Sequence, residues 1–277
     1  MSDESKALLK LVNSSGFLFQ LRVEDEVMNT SSSHQKTVLA REYRWVDPIT
    51  GGEGFIDLIL TTGTNGKMVI ECKRVIDATW LFLVPDGASP VKKANVLWSK
   101  KVNDDRHIAA WDEFRLNPES LESSFCIVRG QGEKDQSMLE RISSILLRST
   151  ECLAEEEFNY HRSEVSVGLR FYFPVIVTTA NLKICRYDSS NIDLLSGQIA
   201  NANFEDVPFL RFTKSMSTRL LSSRTPSELS DSARESQRTI FVMNAASLSI
   251  SLLGNWGFDL PALGKKWPWD LPVWRDS

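Results

Sequence analysis

The stretch from Gly54 to Arg74 constrains this chain more than any other. Two short apolar runs, Phe55 to Thr61 and Met68 to Lys73, flank Gly63-Thr64-Asn65-Gly66, a turn by its chemistry. Such a pattern folds as a β-hairpin, and a hairpin fixes which side chains can meet. Side chains along a strand alternate between faces, so Val69, Glu71 and Lys73 share one face while Met68, Ile70 and Cys72 share the other. Asp57, near the end of the first run, comes to lie beside Glu71. Two carboxylates and an ammonium thus converge on one small patch of an otherwise apolar hairpin.

Charges in apolar surroundings are costly unless something compensates them, and a divalent cation does so. Hard oxygen ligands suit Mg2+ or Mn2+ and not zinc; here they are the carboxylates of Asp57 and Glu71 with a strand carbonyl such as that of Cys72. A metal so held polarises a phosphodiester and supplies a hydroxide, while Lys73 orients that water or neutralises developing charge. The plainer alternative makes Asp57 a turn-capping residue and Glu71–Lys73 a solvated pair on an edge strand. Unpaired charges are so rarely buried that the chemical reading is preferred.

Around the hairpin the periodicity predicts a helix over 16–29, with Ser14 and Ser15 as caps, and a strand from Thr37 to Trp45. Phe17, Gln20, Leu21, Glu24, Val27 and Met28 follow a helical stripe, which puts Glu24 on the core side and Glu26 roughly opposite. Asp47-Pro48-Ile49-Thr50-Gly51-Gly52 reads as a turn, with Glu42 and Asp47 as candidate outer groups of the site. Val75 to about Glu122 is mixed in pattern, and Phe125 to Arg129 a short strand. A long helix follows from Asp135 to about Phe158, with Met138, Leu139, Ile142, Ile145, Leu146 and Leu153 at helical spacing. Arg170 to Thr178 and Leu182 to Tyr187 read as strands, and Thr239 to Met243 as one more. Residues 214–237, rich in serine and charge, suggest a loop or a poorly packed helix. Trp256, Trp267, Trp269 and Trp274 sit in a proline-punctuated tail, expected to pack as a flap on its own domain.

Hydrophobic residues at 42% and charged residues at 25% describe a globular chain and exclude a disordered one. The net charge of -4 advertises no global phosphate partner, although an enzyme needs only a local basic groove beside an acidic metal site. Lys92, Lys93, Lys100 and Lys101 are the candidates for such a groove, against the ordinary reading of lysine pairs as solvated surface. Cys72, Cys126, Cys152 and Cys185 lie far apart with no C-x-x-C, and His34, His107 and His161 are scattered, so neither disulfides nor a histidine metal cluster are expected. No apolar run approaches the length of a membrane span, and Met1-Ser-Asp-Glu-Ser-Lys has no signal pattern, which predicts a cytoplasmic protein with no membrane partner.

Strand-Asp57, hairpin, strand-Glu71-x-Lys73 resembles the PD-(D/E)XK superfamily of restriction-endonuclease-like nucleases. The separation of 14 residues (71 − 57) falls in the family's usual range, while Ile56 stands where the family's proline would be. The resemblance implies an α/β fold with an αβββαβ core, a mixed central sheet flanked by helices, over residues 1–190. It leaves an insertion at about 75–134, and residues 191–277 as a C-terminal extension packed on the core. It implies Mg2+- or Mn2+-dependent hydrolysis of DNA, in phage defence or another DNA-processing pathway. Asp57, Glu71, Lys73 and the helix carboxylate Glu24 would be catalytic, with Asp57, Glu71 and the Cys72 carbonyl on the metal. No zinc finger or helix-turn-helix is evident, so target choice would come from partner subunits, self-association or DNA structure. A catalytically silent binding subunit and an RNA nuclease are the alternatives.

Overall fold

Alternating and continuous apolar runs become strands here because each can bury its side chains against a helix on either face of one sheet. The computed structural model describes residues 2–62, 65–76, 78–103, 106–128, 137–160, 169–223, 227–253 and 257–258. Its helices are α1 (Asp3–Ser14), α2 (Phe17–His34), α3 (Met138–Tyr160), α4 (Leu229–Glu235) and α5 (Leu248–Leu253). Its strands are β1 (Thr37–Val46), β2 (Glu53–Thr62), β3 (Gly66–Lys73), β4 (Thr79–Pro85), β5 (Val91–Asn103), β6 (Arg106–Ser120) and β7 (Glu122–Ser123). They continue as β8 (Cys126–Val128), β9 (Arg170–Thr178), β10 (Asn181–Tyr187), β11 (Asn203–Asp206), β12 (Phe209–Ser215), β13 (Gln237–Asn244) and β14 (Gly257–Phe258).

The main sheet runs β1-β2-β3-β9-β13-β12-β7. β1, β2 and β3 are antiparallel neighbours, whereas β3–β9 and β9–β13 are parallel, so the sheet is mixed. Helices flank it on both faces. On one, Val23 and Val27 of α2 pack with Leu58, Met68, Ile70 and Phe173. On the other, Leu139, Ile142, Leu146 and Leu153 of α3 pack with Val69 and Ile176. A second sheet, β11-β10-β4-β8, lies on the α3 side, where Trp80, Phe82, Leu182 and Ile184 join the same core. Among the described residues no helix is long and apolar enough to cross a membrane.

The β2–β3 hairpin forms as the sequence pattern requires, and Gly66 is needed at its close. A side chain there would meet the Thr62 methyl at 2.6 Å and the Thr62 carbonyl at 2.7 Å. Turn residues Gly63 and Thr64 lie outside the described residues, as do Arg129, Asp135, Trp256 and the tryptophan tail. Pro174 sits mid-strand in β9, a poor place for a residue without an N–H donor. It falls where the neighbour of β9 changes from β5, paired through Phe171 and Tyr172, to β13, paired from Val175 onward.

Several expectations shift. The mixed stretch after Val75 contains the strands β4, β5 and β6; β5 and β6 pair with each other, while β4 pairs with β10 and β5 with β9, both far away in sequence. The buried stripe of α2 is Gln20, Val23, Glu24 and Val27, while Phe17, Leu21 and Met28 are exposed. Ile145 of α3 likewise faces out. Residues 191–277 supply strands to both sheets, β13 beside β9 and β11 beside β10. Within 214–237, β12 continues to Ser215 and α4 is a short helix. The buried Glu151 accepts hydrogen bonds from the Arg219 and Leu220 backbone N–H groups between them.

Candidate active site

β2 stays paired with β1 down to Val46↔Glu53, and β3 stays paired with β9 through Lys73↔Thr178. The ladder between β2 and β3, however, ends at Leu58↔Ile70. The two strands therefore part just where Asp57, Glu71, Cys72 and Lys73 stand. On the other side of β2 the register passes from Arg41↔Leu58 to Tyr43↔Ile56 without a Glu42–Asp57 pair, and Glu42 has a left-handed φ of 47°. Asp57 thus lies past the end of the β2–β3 ladder, and on the β1 edge its own bridge is absent although Ile56 and Leu58 on either side stay in register.

Two hydrogen bonds replace it. The Asp57 carboxylate, through Oδ2, accepts the Cys72 backbone N–H at 2.6 Å. The Asp57 carbonyl accepts from Nε2 of Gln20 on α2 at 3.1 Å. In an extended strand a residue's N–H and C=O project to the same edge, and consecutive residues alternate edges. The Lys73 carbonyl accepts from the Thr179 N–H on the β9 edge. The Cys72 carbonyl accordingly projects to the opposite edge, toward Asp57, where its N–H already points. Cys72 itself packs against the α2-side core, on the face the alternation assigned to it.

Both carboxyls hold their protons unusually tightly. Asp57 is pushed up to about 6 by burial and by the charge of Glu42, opposed by the Cys72 N–H and by Lys73. Glu71 is pushed up to about 7 by burial and by the charges of Asp57 and Glu42, opposed by Lys73. The Cys72 thiol rises as well, through burial first and then the charges of Asp57, Glu71 and Glu42. Two half-buried carboxyls thus crowd at the gap, with the Lys73 ammonium acting on both.

The remaining sequence candidates are placed elsewhere. Glu24 is buried on α2 as the stripe required, but its carboxylate faces Arg41 at 3.4 Å. Among the described residues it is not one of the charges that shift Asp57 or Glu71. Asp47 closes its own turn, accepting from the Ile49 N–H at 3.0 Å and the Thr50 hydroxyl at 2.7 Å, and pairs with Arg219. It is a structural residue and not an outer group of the site. Lys93 pairs with Glu113 across β5–β6 at 3.1 Å, and Lys92 and Lys100 also have partners. β5 meets β9 at Ser99↔Arg170, six residues before the Ile176 that pairs with Glu71. At ~3.3 Å per residue that is about 20 Å along the strand, which puts Lys100 beyond the far end of β9 from the site. The Lys101 side chain lies outside the described residues.

Sequence reasoning noted Gln20 only as the position where the resembled family often carries its helix glutamate, and gave the carboxylate role to Glu24 one turn on. The place of Gln20 on the helical stripe was the available signal. Glu42, weighed as an outer group, does act on the site, by a left-handed turn that nothing in its sequence context announces. Among the described residues no group of three or more His, Cys, Asp or Glu side chains stands where it could hold a metal ion. The available donor set is therefore two carboxylates and a main-chain carbonyl. Comparison with protein-family models, with curated proteins and with solved structures finds no match to this chain.

Proposed function

We propose that this chain is a metal-dependent nuclease of the restriction-endonuclease-like kind, acting on phosphodiester bonds in DNA. The observation that carries the reading is the parting of β2 from β3 with Asp57, Glu71, the Cys72 carbonyl and Lys73 around the gap. The element order α2, β1, β2, β3, α3, β9, with β3 parallel to β9, supports the same reading.

The donors fit Mg2+ or Mn2+, since they are hard oxygens with no thiolate or imidazole among them. Asp57 and Glu71 would hold the ion together with the Cys72 carbonyl. When bound, such an ion supplies Lewis-acid activation of the phosphodiester and a water acidic enough to attack at neutral pH. The chain's own contribution is positional. Its Cys72 N–H donates to the Asp57 carboxylate and holds it in one orientation, most strongly when it is charged. Lys73 lies on the face of Glu71, where its ammonium can donate to a phosphate oxygen and stabilise the charge that grows there. DNA is the proposed partner, and self-association or partner subunits would supply target choice.

Plasmid, linear and single-stranded DNA and RNA incubated with Mg2+, Mn2+ or EDTA test the proposal. Cleavage of DNA with either metal and none with EDTA is expected, and Asp57→Ala abolishes it while the fold remains. Preference for RNA would move the substrate but not the site. Absence of metal-dependent cleavage of every nucleic acid, or an Asp57→Ala variant that cleaves like the wild type, overturns it.

A further inference from the structure

A carboxylate that must hold an ion is useful only if the backbone beneath it is fixed. Asp57 sits where that backbone has left its ladder to β3 and has no bridge of its own to β1. The β2–β3 ladder stops one residue short of it at Leu58↔Ile70, and the Glu42–Asp57 pair is missing from the β1–β2 register. A main-chain carbonyl in such a place still needs a donor, since burying it unpaired is unfavourable. The donor comes from 37 residues away: the Gln20 amide reaches from α2 to the Asp57 carbonyl at 3.1 Å. Gln20 is itself buried at 8% exposed. Its amide orientation is fixed by chemistry, because a carbonyl accepts only and the partner atom must therefore be the NH2 group.

The two hydrogen bonds on Asp57 are complementary. The Cys72 N–H grips the carboxylate from β3, and Gln20 grips the carbonyl of the same residue from the helix layer. Glu24, one turn further along α2, is engaged with Arg41, the register partner of Leu58. Of these two buried polar residues of α2, Gln20 thus meets the β2 backbone and Glu24 an arginine of β1.

We propose that Gln20 is a positioning residue, which fixes the Asp57 backbone so that the carboxylate and the Cys72 carbonyl face one another across the gap between β2 and β3. This rests on the nuclease reading above and adds to it the residue through which the helix layer acts on the site. Residues that orient metal ligands in this way commonly change metal affinity or turnover about 10- to 100-fold when lost.

The test compares wild type, Gln20→Met and Gln20→Glu in the full chain. Mn2+ affinity is followed by electron paramagnetic resonance, and single-turnover cleavage and DNA affinity are measured alongside melting temperature. Methionine matches the length of glutamine without a donor, so Gln20→Met should weaken Mn2+ binding and turnover about tenfold, with DNA affinity little changed. Gln20→Glu places a carboxylate against a carbonyl. It should lose more Mn2+ affinity and turnover than Gln20→Met at pH 8, where the Asp57–Glu71 pair is ionised. A residue that merely filled space would accept the near-isosteric methionine with no loss of Mn2+ affinity at an unchanged melting temperature. If wild type binds Mn2+ and cleaves, and Gln20→Met does both equally well, the inference fails while the nuclease reading stands. Losses in both variants that match a fall in melting temperature assign Gln20 to the fold and also overturn it. A wild type that neither binds Mn2+ nor cleaves removes the nuclease reading, and this inference with it.

Discussion

Raising the pH of the metal-free protein from 5 to 8 strips protons from Asp57 and Glu71 inside a half-buried gap, and the fold should weaken as it happens. Asp57 rises from 3.8 to about 6, which corresponds to about 3 kcal/mol at about 1.4 kcal/mol per pH unit. Glu71 rises from 4.5 to about 7, again about 3 kcal/mol. At pH 5 the unfolded carboxyls are already largely ionised, so the part lost between pH 5 and 8 is about 1 kcal/mol for Asp57 and about 3 kcal/mol for Glu71, about 4 kcal/mol together. The direction follows from the folded values lying above the unfolded ones. The folded state holds these protons more tightly, so the associated stability is present at the acid end and is lost as pH rises through 6 and 7. For a chain of 277 residues, about 4 kcal/mol is about 8 °C of melting temperature. Melting curves in EDTA at half-unit steps should show this fall, while Glu71→Gln flattens it by removing one charge and relieving the other carboxylate. Adding Mg2+ should restore stability at pH 8 far more than at pH 5, since only the ionised pair attracts it. A Glu71→Gln curve running parallel to that of the wild type would refute the claim that these two carboxyls are strained by burial and by each other.

Lys73→Met keeps much of the apolar stem and removes the charge, so turnover should fall about 10²-fold or more while substrate affinity changes little. Single-turnover cleavage with Mg2+ and equilibrium binding of the same DNA with Ca2+ separate the two quantities; an effect confined to affinity would favour a binding-only protein. Cys72 packs into the α2-side core, so Cys72→Asp should destabilise by about 3 kcal/mol and Cys72→Ala by about 1 kcal/mol. Equal melting temperatures for the two variants would show that the face assigned to Cys72 is wrong.

The hairpin from Phe55 to Lys73 was legible in the sequence because its information is local. A turn of the right chemistry between two apolar runs sets both strands, and strand alternation then places Glu71 and Lys73 on one face and Cys72 on the other. The strands of β9 and β10 and most of α3 were legible for the same reason, as was the burial of Glu24. What the residues of β4, β5 and β6 would do was not. β4 pairs with β10 and β5 with β9, roughly seventy to a hundred residues away, and a pattern with lysines at both ends of β5 carries no local sign of them.

The site divides along the same line. Its residue types and their order came from the amino-acid sequence alone, since two carboxylates and an ammonium at that spacing on a hairpin can meet in few ways. The assembled structure decided that β2 and β3 part after Leu58 and Ile70, that Glu24 turns to Arg41, and that Gln20 supports the Asp57 carbonyl. It also decided that Asp47 belongs to its own turn and that Glu42 lends its charge to the gap. Each of these depends on which elements lie beside one another once the sheet is closed between its helices. Local periodicity determines which face a side chain takes, and tertiary packing alone determines what waits on that face.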